Sequence, residues 1–212
     1  MKKTVFLRMM TREFLFSAEP EEGFMMKKTS NRTAIRAMCE CGVLIAAAQI
    51  LGYLKLFRLP NGGSVTLNML PIFMIGIRWG CGFGFLSGFV FGLLQLLLDG
   101  GVGFGWQSIL GDYLVAYTVL GFAGLIRKDS LKACLGNIAL GSMARLAVAV
   151  FVGATVWAEY MPPEFWGMAM NDPWVYSLLY NASYILPAMI LCMIVAAILR
   201  APLKNWMRPV LK

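Results

Sequence analysis

Apolar residues along this chain run in long stretches separated by short polar connections. The stretches cover 33–55, 64–78, 82–98, 106–126, 132–157 and 174–199. A helix crosses a bilayer with about 20 mostly apolar residues at a rise of about 1.5 Å each. Five of the stretches approach or exceed that length. The second is only about 22 Å long by the same rise and contains Pro71, so it either spans incompletely or joins the third as a broken pair. The pattern predicts six segments, with five as the alternative. Residues 1–30 differ: Lys2, Lys3, Arg8, Arg12, Glu13, Glu19, Glu21 and Glu22 interrupt every apolar run. They fit neither a signal peptide nor a span and are expected to form a poorly ordered tail. Met25 and Met26, followed by Lys27 and Lys28, would suit the start of an anchored first helix, so the first 24 or so residues are expected to be dispensable. Residues 31–200 then form the membrane domain and 201–212 a basic tail.

Composition supports this reading. Apolar residues make up 59% of the 212, charged residues 14%, and mean hydropathy is +0.69. Soluble domains carry about 25% charged residues, so the composition favours a multi-span membrane protein over a water-soluble globule. The chain has no histidine, which removes His-ligated zinc and haem chemistry and Ser–His proteolysis. No Gly-rich phosphate-cradling motif occurs, so the chain hydrolyses no ATP by itself. Its five cysteines form no CxxC pair and read as small apolar fillers; no metal site is expected.

The net charge of +8 would suggest nucleic acid in a soluble protein; here it reads as topology. Cations crowd the stretch up to Arg36, the turn at Arg78, the connection with Arg127, Lys128 and Lys132, and the tail with Arg200, Lys204, Arg208 and Lys212. The other side holds Lys55 and Arg58 beside Asp99, Glu159, Glu164 and Asp172. Cytoplasmic loops retain cations, so both termini are expected inside, which requires an even number of crossings.

Small residues mark packing faces. Gly84, Gly88 and Gly92 recur every fourth position, the spacing that lets helix backbones approach. Packing within the protein is the leading reading. Gly42 and Ala46 form a second small face, suited to docking another membrane protein. Gly-rich connections at Pro60–Gly63 and Asp99–Gly105 include Gly62, Gly63, Gly100 and Gly101, and these glycines suit a lid over an outward pocket.

Ionisable groups inside spans cost about 2.5–3.5 kcal/mol on insertion scales and mark function or a buried pair. Asp112 and Arg145 are the two clear cases; Glu40 sits nearer the inner surface and pairs with Arg36 one turn back. By helical rise Asp112 and Arg145 lie at similar depth. Either they form an ion pair or Asp112 serves a ligand. Trp106, Tyr113 and Tyr117 fall on one helical face; Tyr176, Tyr180 and Tyr184 form a stripe flanked by Ser177 and Asn181, with Trp157 at the same level. An interfacial aromatic belt explains the tryptophans. A carboxylate and an amide beneath that belt need partners. A flat, cationic, hydrogen-bonding ligand suits both, through ring stacking and cation–π attraction.

The runs Leu59-Pro60-Asn61-Gly62-Gly63-Ser64-Val65-Thr66-Leu67, Leu70-Pro71-Ile72, Gly111-Asp112-Tyr113 and Gly121-Phe122-Ala123-Gly124-Leu125 occur in that order. With Pro173-Trp174-Val175-Tyr176-Ser177-Leu178-Leu179-Tyr180-Asn181-Ala182-Ser183-Tyr184, they resemble the thiamine-specific S-component (ThiT) family of energy-coupling factor transporters. The resemblance covers about residues 33–200. It implies an all-α, six-helix bundle in the bacterial plasma membrane, with cytoplasmic termini. Such a protein binds thiamine from outside and delivers it by docking to a transmembrane coupling subunit and two cytoplasmic ATPases. It uses no cofactor, no nucleic acid and no catalytic residue. The family's acidic pyrimidine-binding position falls on Asp112, where Glu also occurs, and its neighbouring tyrosine on Tyr113. The stacking tryptophan falls on Trp157, and the tyrosine and asparagine of the last helix on Tyr176 and Asn181. The third helix offers Phe91 in place of Trp, and Trp106 is expected to border the ligand. The docking motif falls on Gly42 and Ala46, with Gly replacing the usual first Ala. The family's fifth-helix histidine falls near Ala149, so a thiamine precursor or analogue is the alternative ligand, and riboflavin another. A membrane enzyme or a structural membrane protein is the rival from another class.

Overall fold

The computed structural model describes residues 31–59, 63–98 and 105–210. The expected tail 1–30 and the lid glycines Gly62, Gly100 and Gly101 lie outside the described residues. Helix α1 runs Asn31–Tyr53. A two-stranded antiparallel ribbon follows, β1 (Phe57–Arg58) with β2 (Ser64–Val65). Then come α2 (Met69–Trp79) and α3 (Cys81–Leu98). The segment α4, residues 106–124, is composite. It is α-helical at Trp106–Ser108, π-helical at Ile109–Val115, α-helical at Ala116–Thr118 and 3₁₀ at Val119–Gly124. Helix α5 spans Leu131–Thr155. A second ribbon, β3 (Glu164–Phe165) with β4 (Met168–Ala169), precedes α6, Pro173–Leu203.

The helices sit where the apolar runs predict, within a few residues. By length and composition α1, α3, α5 and α6 can cross a membrane. Helix α2 has 11 residues, all buried, and at about 16 Å it is too short to cross alone. The second segment is therefore a short buried helix, followed after Gly80 alone by α3. Local signals set the helix starts. Ser130 Oγ accepts from the Ala133 N–H at 3.1 Å. Asp172 Oδ1 accepts from the Trp174 N–H at 2.8 Å, with Pro173 at the first helical position, where its missing N–H costs nothing.

Close packing follows the small residues. A Cβ on Gly88 would meet the Tyr117 carbonyl oxygen and one on Gly92 that of Tyr113, while Gly84 faces Gly121. These pairs run in opposite order along the chain, so α3 and α4 are antiparallel with backbones in contact. The glycine stripe of α3 is thus spent inside the bundle. By contrast Gly42 and Ala46 are exposed on α1, and a Cβ at Gly42 would meet nothing within 4 Å.

Where α1 starts and α2 ends, Arg78, 3% exposed, donates to both carboxylate oxygens of Glu40 and to the Trp206 carbonyl. Its guanidinium lies 5.2 and 4.7 Å from the ring centroids of Trp79 and Trp206. Glu40 also accepts from Arg36 at 2.9 Å and from the Trp79 indole at 3.0 Å. The expected Arg36–Glu40 pair is present, as one arm of a larger network. The segment after α6 packs rather than trailing: Met207 is buried and the Val210 N–H donates to the Arg78 carbonyl at 2.8 Å. Asn137 holds the end of α4, donating to the Ile126 carbonyl and accepting from its N–H, both at 2.9 Å.

Candidate ligand-binding site

At the opposite end from Arg78, the helices enclose a cavity of about 590 Å³, within the range of small-molecule sites. Helix α4 supplies Ser108, Asp112, Tyr113, Ala116 and Tyr117, and Trp157 reaches in from just beyond α5. Helix α6 supplies Tyr176, Tyr180, Asn181 and Tyr184, and Gly63 closes one side.

Asp112 sits in the π-helical turn. Its Oδ2 accepts from Ser108 Oγ at 2.9 Å and from Trp157 Nε1 at 2.8 Å. Both bonds fall on one oxygen, and Oδ1 accepts no hydrogen bond from the described residues. A carboxylate half-satisfied by protein can take a donor from a ligand on its other oxygen. Of the two alternatives for Asp112, the ion pair with Arg145 does not form: no carboxylate of the described residues lies within 4.0 Å of Arg145, whose guanidinium instead lies 4.3 Å from the Tyr117 ring centroid. Facing the arginine, the tyrosine ring offers its electron-rich face, a weaker partner than a carboxylate.

The tyrosine stripe forms as the spacing predicts. Tyr176 and Tyr180 stack at 5.7 Å, and Tyr180 meets Tyr184 edge-on at 5.8 Å. Phe165 of β3 packs edge-on over Tyr176 at 5.6 Å and lies 6.0 Å from Tyr180. Tyr180 also receives the Gly63 N–H on its hydroxyl at 2.8 Å, and a Cβ at Gly63 would lie 2.6 Å from Tyr184 Cδ1. The loop backbone can sit on the tyrosines only because that position is glycine.

Asn181 reaches the cavity with its polar atoms bonded to protein. It lines the cavity at 6% exposure, but its amide nitrogen donates to the Ala149 carbonyl, the Ser177 carbonyl and Ser177 Oγ at 2.8–3.3 Å. Its oxygen accepts from the Tyr184 hydroxyl at 2.7 Å. It ties α5 to α6 and orients Tyr184.

The structure therefore brings Asp112, Tyr113, Trp157, Tyr176, Asn181 and Gly63 together. Two expected ligand neighbours fall elsewhere. Trp106 is 68% exposed and does not line the cavity. A 3.6-residue period aligns it with Tyr113 and Tyr117, but the intervening π turn adds a residue and rotates it away. Phe91 is fully buried, edge-on against Tyr117 at 5.0 Å, and supports the cavity from behind. Sequence reasoning missed Ser108, Phe165, Thr66, Asn68 and Gln95. The first could have been found as the residue one turn before Asp112; nothing local announces the others.

An aromatic chamber among membrane-length helices, with one carboxylate oxygen open to it, defines a membrane protein that holds a small planar molecule. Comparison with known proteins narrows the class. Residues 38–207 match the thiamine transporter protein family. Thiamine transporter ThiT of Bacillus subtilis is 32% identical over 176 residues, 76% of this chain and 88% of that protein. ThiT of Lacticaseibacillus paracasei is 27% identical over 177 residues, 76% of this chain and 84% of that one. A solved structure of ThiT from Listeria monocytogenes superposes with a TM-score of 0.73 at 20% identity, covering 84% of this chain and all of that one, which shows the common fold. The chain belongs to the thiamine transporter protein family.

Proposed function

We propose that the protein is the substrate-binding S-component of an energy-coupling factor importer, and that the cavity beside Asp112 holds thiamine. One observation carries this reading to the residues: Asp112 keeps an oxygen for the ligand while Ser108 and Trp157 fix the other. An aminopyrimidine amino group donates to that free oxygen. Trp157 and Tyr176 line the cavity where a thiazolium would lie, and cation–π attraction to aromatic rings is worth about 2 kcal/mol or more in a desolvated site. The protein performs no bond chemistry. It resides in the bacterial plasma membrane with its termini inside and the cavity opening outward, as the cation distribution supports. The exposed Gly42–Ala46 face of α1 receives the transmembrane coupling subunit, since small residues let two helices approach closely in lipid. ATP hydrolysis belongs to the partner subunits.

Isothermal titration of the detergent-purified protein with thiamine tests the assignment. Saturable binding with quenching of tryptophan emission is the expected result. Absence of heat with thiamine from well-folded protein overturns it.

A further inference from the structure

The end of the bundle away from the ligand cavity gathers charge that the fold itself does not use. Asp129 lies in the connection between α4 and α5, and both its oxygens are taken by arginines from the end of α6. Arg200 donates to Oδ1 at 2.5 Å and Arg208 to Oδ2 at 3.0 Å. The hydrogen bond from Arg200, helped by the charge of both arginines, holds this carboxyl below its usual range, so it stays ionised at neutral pH. One carboxylate thus ties the end of α6 to the α4–α5 connection.

Three lysines stand around that triad with nothing to neutralise them. Lys128 precedes Asp129, Lys132 lies in the first turn of α5, and Lys204 lies one turn beyond Arg200. All three are exposed, and among the described residues none of their ammonium groups forms an ion pair. Glu40, the other described carboxylate at this end, is already engaged by Arg36 and Arg78. Five cations around one carboxylate repel one another, and an external anion relieves that repulsion. Apolar side chains border the same residues: Leu125, Leu131 and Ile198 are exposed within three residues of Lys128, Lys132 and Arg200. A soluble anion or an acidic protein segment leaves those side chains uncovered. A phospholipid meets both demands, with phosphate at the cations and acyl chains on the apolar side chains.

We propose that the α4–α5 connection and the end of α6 form a binding surface for an anionic phospholipid. Lys128, Lys132 and Lys204 hold its headgroup around the Arg200–Asp129–Arg208 triad. Asp129 is the organiser: it brings the cations of α6 to those beside α5 without neutralising them all. The surface is separate from the ligand cavity and does not depend on which molecule that cavity holds.

The test is titration of the full-length protein in neutral detergent with cardiolipin or with phosphatidylcholine, the bound lipid being read by native mass spectrometry. Cardiolipin should bind saturably and at least tenfold more tightly than phosphatidylcholine. Each cation near an anionic headgroup is worth about fivefold in affinity, so Lys132→Gln with Lys204→Gln should raise the cardiolipin Kd at least tenfold. These lysines hold nothing in the fold, so size-exclusion behaviour should be unchanged. Arg32→Gln with Arg58→Gln removes as many cations elsewhere and should leave the cardiolipin Kd within about twofold, since a charge acts on a headgroup only within a Debye length. Cardiolipin binding no tighter than phosphatidylcholine, or equal loss in both double variants, overturns the proposal. A Lys132→Gln, Lys204→Gln protein that keeps its cardiolipin affinity but loses uptake in cells overturns it too, and gives the surface to a protein partner.

Discussion

The Trp157 indole N–H donates to Asp112 Oδ2 at 2.8 Å, across 45 residues of chain. Trp157 lies two residues beyond the end of α5, and Asp112 lies in the π-helical turn of α4. The indole and the carboxylate that the proposed function assigns to the ligand are thus positioned by each other. Asp112→Asn keeps one oxygen for Ser108 and Trp157 but puts an N–H₂ donor where the ligand needs an acceptor. Loss of a charged hydrogen bond costs about 1.5–3 kcal/mol, so thiamine Kd should rise at least tenfold, with size-exclusion behaviour preserved. Trp157→Phe keeps a stacking ring and loses the N–H, and titration should show a smaller loss.

Tyr180→Phe removes the acceptor of the Gly63 N–H and leaves the aromatic stack intact. The loop then loses its tether to α6. Stopped-flow fluorescence should show thiamine leaving severalfold faster with little change in its rate of entry. Equal slowing or speeding of both rates would argue against a tether.

Gly88 and Gly92 meet the backbone carbonyls of Tyr117 and Tyr113, which cannot rotate aside. Gly88→Val should therefore force α3 away from α4. Overpacking costs about 1–3 kcal/mol, and thermal unfolding in detergent should show a lowered midpoint. Binding should weaken too, because Tyr113 and Tyr117 both line the cavity.

Removing Glu40 leaves Arg78 as a buried cation without its carboxylate. Breaking such a pair costs about 3–5 kcal/mol, so Glu40→Gln should lower the unfolding midpoint more than Arg36→Gln, whose side chain is 63% exposed. Arg78→Met combined with Glu40→Gln should recover part of the loss.

Gly42→Leu or Ala46→Leu projects a branched side chain into the open space beside α1. Titration should give wild-type thiamine affinity, while cells that depend on this importer should lose uptake. Normal uptake with both substitutions combined would remove the docking role from this face.

Sequence by itself determined the number and placement of the helices, because crossing or filling a bilayer needs apolar runs of set length. It also determined the tyrosine stripe of α6, where Tyr176, Tyr180 and Tyr184 keep an uninterrupted period of four, and the place of Asp112, which apolar neighbours made conspicuous. Tertiary structure decided the rest. One π turn moved Trp106 off the face that a regular helix predicts. Asn181 spends its amide on Ala149, Ser177 and Tyr184, and Arg145 sits over Tyr117 rather than beside Asp112. Phe165 roofs the stripe from a ribbon with no local signature. The physical reason is range: hydropathy and period act within a few turns of one helix. Hydrogen-bond partners are chosen across helices, where a one-residue change of register exchanges one partner for another.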